Sequence, residues 1–188
     1  MPETAPPPEL TGMSLEEVAR AVAERRLPPV EQWNPAHCGD SEMRIARDGS
    51  WHHQGAPIAR PAMVRLFASI LRREPDGGHV LVTPAEKLSI AVDDAPFVAV
   101  EMTSEGEGTT RRLGFRLNTD ELVVAGPDHP IRIEEREDGP HPYLRVRGGL
   151  DALVGRALYY ELAEIAIAEA ADPPGVWSDG AFFALAAA

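Results

Sequence analysis

Between His79 and Thr103 three apolar runs follow one another, "HVLVT", "KLSIAV" and "FVAVEMT", separated only by "PAE" and "DDAP". Each run is rich in β-branched residues and too short for a stable helix, so each reads as a strand. A chain that passes directly from strand to strand cannot build an alternating β-α-β sheet. It needs hairpin-connected sheets with the helices set apart, which is an α+β architecture.

The remaining segments keep to this reading. The stretches 42–47 and 50–53 flank "DGS", and Asp-Gly supplies the positive φ that a tight hairpin turn requires. "RRLGFRL" and "ELVVAG" flank "NTD", and "IRIEE" and "PYLRVRG" flank "REDGPH". Three helices are expected. Ser14 and Glu17 have capping-box spacing ahead of Leu15, Val18, Ala19 and Val22, and Pro28 and Pro29 end that helix. A second helix is expected over 61–74, with Met63, Leu66, Phe67, Ile70 and Leu71 on one face. A third is expected over 150–171, burying Leu150, Leu153, Val154, Leu158, Leu162 and Ile165, with "DPPG" as its stop.

The division that results is a Pro-rich arm over 1–12, an N-terminal α+β part over 13–95, a β-rich C-terminal part with a capping helix over 96–172, and a docked aromatic tail over 173–188. A hairpin followed by a helix occurs near 42–74, and strands followed by a helix occur near 111–171. A duplication is compatible with this echo, although few residues repeat.

The net charge of −12 disfavours nucleic-acid polymers and anionic membranes as partners. One cysteine among 188 residues excludes an intramolecular disulfide and a Cys-rich zinc module. "MPETAPPPELTG" has neither a basic nor an apolar signal region, and no apolar run nears the roughly 20 residues that span a bilayer, so a cytoplasmic protein is expected.

The densest set of reactive side chains lies in "HCGDSEMRIARDGSWHHQGAPIAR". His37, Cys38, Asp40, His52 and His53 are all competent metal ligands. Adjacent strand residues point to opposite faces, however, so His52 and His53 cannot share one ion from a regular strand. A metal-dependent hydrolase built on the His37–His53 region is the enzymatic alternative. Cys38 lacks the electropositive setting of a nucleophile. No nucleophile elbow, Walker loop or dinucleotide fingerprint is present, so no catalytic residue and no cofactor is assigned.

A binding platform is the stronger reading. Period-two alternation puts Tyr143, Arg145 and Arg147 on one face of a strand, able to stack a planar group and hold an anion. "TPAEK" adds Thr83, Glu86 and Lys87 from one short turn, Arg44 lies on the polar side of the first hairpin, and Arg60 stands at the start of the second helix. Surface pairing with the abundant Asp and Glu is the competing explanation for these cations. A module that binds only other proteins is a third possibility.

"CGDSEMRIARDGSWHHQGAPIAR", "MVRLFASILRRE", "LVTPAEK", "VDDAPFVAVEM", "GPDHPIRI" and "PYLRVRGGLDALVGRALYYEL", in that order, resemble the bacterial family called domain of unknown function 1285. The resemblance runs from about Trp33 to the end of the last helix. It implies two repeated α+β parts sharing one core, the C-terminal one a pleckstrin-homology-like barrel or curled sheet capped by a helix. It also implies a cleft between the parts for a small anionic, nucleotide-like ligand, and a role in signalling. Arg44 and Trp51 in the hairpin, the "TPAEK" turn and Tyr143 with Arg145 fall in the matching motifs. The site expected from platform and resemblance together is Arg44, Trp51, Arg60, Thr83, Glu86, Lys87, Tyr143 and Arg145.

Overall fold

The computed structural model describes residues 27–186, so the expected helix at Ser14 and the Pro-rich arm lie outside the described residues. The first part comprises β1 (His37–Ile45), β2 (Trp51–His53), β3 (Ala56–Pro57), α1 (Pro61–Ser69), β4 (Leu71–Arg73), β5 (His79–Val82) and β6 (Glu86–Val92). The second comprises β7 (Phe97–Glu105), β8 (Arg112–Leu117), β9 (Leu122–Val124), β10 (Ile131–Arg136), β11 (Gly139–Arg147) and β12 (Leu150–Val154). Then follow α2 (Arg156–Ala168), β13 (Gly175–Ser178) and β14 (Ala181–Ala184).

The two parts share one topology. The sheet orders are β3-β2-β1-β6-β5-β4 and β10-β11-β12-β7-β8-β9. Each sheet is two three-stranded meanders joined first strand to last: β1 runs parallel to β6, and β7 runs parallel to β12, while every other pairing is antiparallel. The chain is therefore two repeated, sheet-dominated parts. The helices do not repeat with the sheets. α1 links the meanders of the first sheet, residues 125–130 make that link in the second, and α2 follows the second sheet instead. The echo of hairpin-then-helix in the sequence was thus not the repeating unit.

Helix content is lower than expected, for identifiable reasons. α1 ends at Ser69 because Leu71–Arg73 is drawn into a ladder with β5, where Leu71 faces Leu81 and Val82 N–H reaches the Ile70 carbonyl. Leu150–Val154 is a strand because Gly148 and Gly149, at φ 49° and 77°, reverse the chain in two residues and lay it beside β11. These are the positive φ values of a hairpin turn, which glycine adopts without strain. Leu150, Ala152 and Val154 then face the core and Asp151 faces Arg145, a period of two. The apolar residues at 150, 153 and 154 also match helical spacing, which is why the run was ambiguous.

One apolar core spans both parts. Ile45, Trp51 and Leu71 from the first join Phe97, Phe115, Leu144 and Val154 from the second, with Leu158 and Leu162 of α2. Each such side chain stabilises the fold by roughly 1.5–3 kcal/mol on burial. The β13–β14 hairpin packs on this body: the fully buried Ser178 hydroxyl accepts from Leu113 N–H at 2.9 Å and donates to the Ala125 carbonyl at 2.7 Å. One sheet curls into a half-barrel.

Candidate functional site

The eight residues expected to form the site are not gathered in one place. Arg44 forms a two-pronged pair with Asp93, at 2.8 and 2.6 Å. Trp51 is buried and stacks on Phe67 at 6.4 Å. Arg60 is the N-cap residue of α1, with no side-chain capping bond. Thr83 Oγ1 accepts from the N–H groups of Ala85 and Glu86, shaping the turn from β5 to β6. Lys87 Nζ lies 3.2 Å from Glu74, which also holds Arg72. Trp51 meets the second part within the shared apolar core, and Tyr143 and Arg145 reach the polar side of the junction between the two parts.

There they belong to a charged seam. Cross-strand register sets Arg132 beside Tyr143, Glu134 beside His141 and Arg145 beside Asp151, all on one face of the second sheet. Asp151, whose side chain is 7% exposed, accepts from Arg132 at 2.7 Å and Arg145 at 2.6 Å, and Arg73 of the first part approaches to 4.0 Å. Asp94, 3% exposed, accepts from the Tyr143 hydroxyl at 2.7 Å and from Arg136 at 3.0 Å. Burial, and then the Asp94 carboxylate, push the Tyr143 phenol well above its ordinary range. Burial and the Arg73 charge hold His79 below the ordinary imidazole range, opposed by Asp151. The guanidiniums of Arg132 and Arg136 lie 4.7 and 5.4 Å from the Tyr143 ring centre, so the ring faces are already engaged. The space left here is about 150 Å³, below the roughly 300 Å³ at which small-molecule sites begin.

The adjacent cleft is of ligand size, about 540 Å³. It lies between the β10–β11 hairpin, the end of β12 and the start of α2, and Arg47 of the β1–β2 turn reaches into it from the first part. His141, Arg156, Tyr159 and Tyr160 complete its lining. The two tyrosine rings are 6.5 Å apart, tilted by 39°, and Tyr159 donates its hydroxyl to the Leu185 carbonyl at 3.0 Å. His141 Nε2 is 2.9 Å from Asp138 and its Nδ1 is 3.4 Å from Arg47 Nη2. That bond holds the Asp138 carboxyl below its usual range.

Arg47 and Arg156 are less tightly paired than most of the arginines. Arg44, Arg65, Arg72 and Arg145 are typical in reaching a carboxylate within 2.8 Å. Arg47 has carboxylate oxygens no nearer than 3.6 and 3.7 Å, and the Arg156 side chain makes no hydrogen bond or ion pair among the described residues. The cleft thus concentrates guanidinium capacity that the acidic surface has not consumed, beside aromatic faces. Sequence reasoning missed it because Arg47 reads as a turn residue and Tyr159 and Tyr160 as a helix surface, with no local signal joining them. A larger, shallower depression of about 740 Å³ lies by Trp177, where Arg111 is bound to Glu169 at 2.6 Å.

The first hairpin does not assemble a metal centre. His52 Nε2 contacts the Ser50 hydroxyl at 2.9 Å, and among the described residues no three of His, Cys, Asp and Glu are grouped to hold an ion. Cys38 is exposed at the start of β1. Among the described residues no helix is long and apolar enough to cross a membrane.

Comparison with known proteins agrees with the topology. A solved protein from Silicibacter pomeroyi DSS-3, a DUF1285 family protein, is 44% identical with a TM-score of 0.77, over 91% of this chain and 93% of that one. Another, from Shewanella baltica OS155, is 27% identical with a TM-score of 0.52, over 65% of this chain and 90% of that one. No curated protein matches. The model of the N-terminal domain of DUF1285, a domain of unknown function, matches residues 28–95, and that of the C-terminal domain matches residues 96–185. The two models together cover both six-stranded sheets and the terminal hairpin, and the chain belongs to the DUF1285 family.

Proposed function

We propose that this chain is a binding protein that takes a small anionic, nucleotide-like ligand in the cleft between its two parts, without catalysing a reaction, as a cytoplasmic component of signalling. The observation that carries this reading is the pairing of underused guanidiniums, Arg47 from one part and Arg156 from the other, across a cleft of about 540 Å³. Arg47 and Arg156 neutralise the anion, and Tyr159 and Tyr160 offer apolar faces to a planar group. Tyr143 and Arg145 act from behind, by fixing the seam against which the cleft is built. The pleckstrin-homology-like description of the C-terminal part belongs to the same proposal. It is supported by α2 following the sheet and laying Leu158, Leu162 and Ala166 on the core.

A thermal-shift panel of nucleotides and acidic metabolites, followed by calorimetry, tests the reading. A compound that binds the native state stabilises it by a few kcal/mol at saturation, and Arg47→Ala with Arg156→Ala removes the effect. A panel in which nothing shifts the melting temperature at millimolar concentration refutes it. The reading as a protein-interaction module is favoured by one observation, the outward Met63 and Leu66 of α1, 39% and 60% exposed.

A further inference from the structure

Asp138 stands at the rim of the cleft, in the turn between β10 and β11, with its side chain 60% exposed. Its carboxylate faces the groups that an anionic ligand would use. It accepts from His141 Nε2 at 2.9 Å and lies 3.7 Å from Arg47 Nη2. Arg47 is drawn at the same time toward Asp94 at 3.6 Å and toward His141 Nδ1 at 3.4 Å. None of the three Arg47 contacts reaches the roughly 2.7–2.9 Å of a charge-assisted hydrogen bond. The guanidinium is shared among three weak partners and leaves them without breaking a strong bond.

The two carboxylates near Arg47 are not equivalent. Asp94 is 3% exposed and tied by the Tyr143 hydroxyl and Arg136, so it is part of the permanent frame. Asp138 has only the His141 bond at short range, and it precedes Gly139, whose φ of 111° and open surroundings mark an unencumbered turn. Resting on the anion-binding reading of this cleft, we infer that Asp138 is a built-in competitor for the ligand: it occupies the electrostatic place of an incoming phosphoryl or carboxylate group, and the ligand displaces it from Arg47. With Nε2–H committed to Asp138, the neutral His141 ring presents the Nδ1 lone pair to Arg47. An anion that takes Arg47 frees that lone pair to accept a hydroxyl of the same ligand. The class recognised is therefore an aromatic or heteroaromatic phosphate or carboxylate that also carries a hydroxyl.

Calorimetry on the full chain with adenosine 5′-monophosphate, 4-hydroxybenzoate and uncharged adenosine tests this, using the wild type, Asp138→Asn, Arg47→Ala and Arg156→Ala. Removing a competing charge a few ångströms from the anion raises affinity by about fivefold in a well-solvated setting. Asp138→Asn is expected to bind whichever anionic probe the wild type binds about that much more tightly, with the gain shrinking as salt rises, and to leave adenosine unchanged. Weakened binding in the arginine variants with no gain in Asp138→Asn overturns the inference and leaves the cleft reading standing. No binding of either anion to the wild type or to Asp138→Asn overturns both.

Discussion

Tyr143 on β11 donates its phenolic hydrogen to Asp94, in the segment between β6 and β7, at 2.7 Å. This bond ties the second sheet to the connection between the two parts. Tyr143→Phe leaves a buried carboxylate short of a donor and is expected to cost about 1–3 kcal/mol in urea unfolding. The same bond sets an alkaline limit. The Tyr143 pKa is raised in the folded state, so its contribution is complete below the unfolded phenol pKa of about 10 and is lost as pH rises beyond it. Tyr143→Phe is expected to flatten the fall in stability above pH 10. An equally steep fall in the variant would mean that another group titrates there.

Asp151 balances guanidiniums from both parts of the molecule, Arg73 from one and Arg132 and Arg145 from the other. Removing one member of a buried ion pair costs more than the pair itself contributes, because the partner charges stay behind. The arginines here are partly solvated, so Asp151→Asn is expected to cost about 2 kcal/mol rather than the full 3–5. A denaturation midpoint unchanged from wild type would show that solvent already balances these arginines.

Gly49 has φ of 83°, and its carbonyl accepts from Asn118 Nδ2 at 3.1 Å across the junction. A methyl group there meets that nitrogen at 2.5 Å and Val98 at 2.9 Å. Gly49→Ala therefore combines a left-handed backbone with a clash at a contact between the parts, and a loss of about 1–3 kcal/mol is expected. Calorimetric melting of the variant beside Gly55→Ala separates the causes. Gly55 has φ of 80° with open space around it, so it isolates the backbone contribution.

Ser178→Ala leaves two buried backbone groups, Leu113 N–H and the Ala125 carbonyl, without their partner. The expected cost is about 1–3 kcal/mol. Hydrogen exchange gives the local check: the amide of Leu113 should exchange markedly faster in the variant. Unchanged protection would mean that the terminal hairpin does not depend on this hydroxyl.

Strand identities were largely legible, because turn chemistry and alternation are local. The Asp-Gly turn after Arg47 and the strands around "PAE" could be read directly. Leu71–Arg73 and Leu150–Val154 were not legible, because short apolar runs fit both periods and the decision lay with their ladder partners. Of the expected site, Tyr143 and Arg145 stand at the junction because their alternation reflects a real sheet face. Arg44 and Lys87 were equally plausible in sequence, but Asp93 and Glu74 neutralise them where the fold happens to set those carboxylates.

The sequence by itself determined that strand follows strand, where the tight turns fall and that the chain is strongly acidic, since these depend on neighbouring residues or on composition. Tertiary structure alone decided that β1 pairs with β6 and β7 with β12, and so that the two sheets repeat one topology. It alone brought Arg47 to His141, 94 positions away, and left Arg47 and Arg156 with charge to spare. Which cation finds which carboxylate is settled by long-range packing, about which a local pattern of residues carries no information.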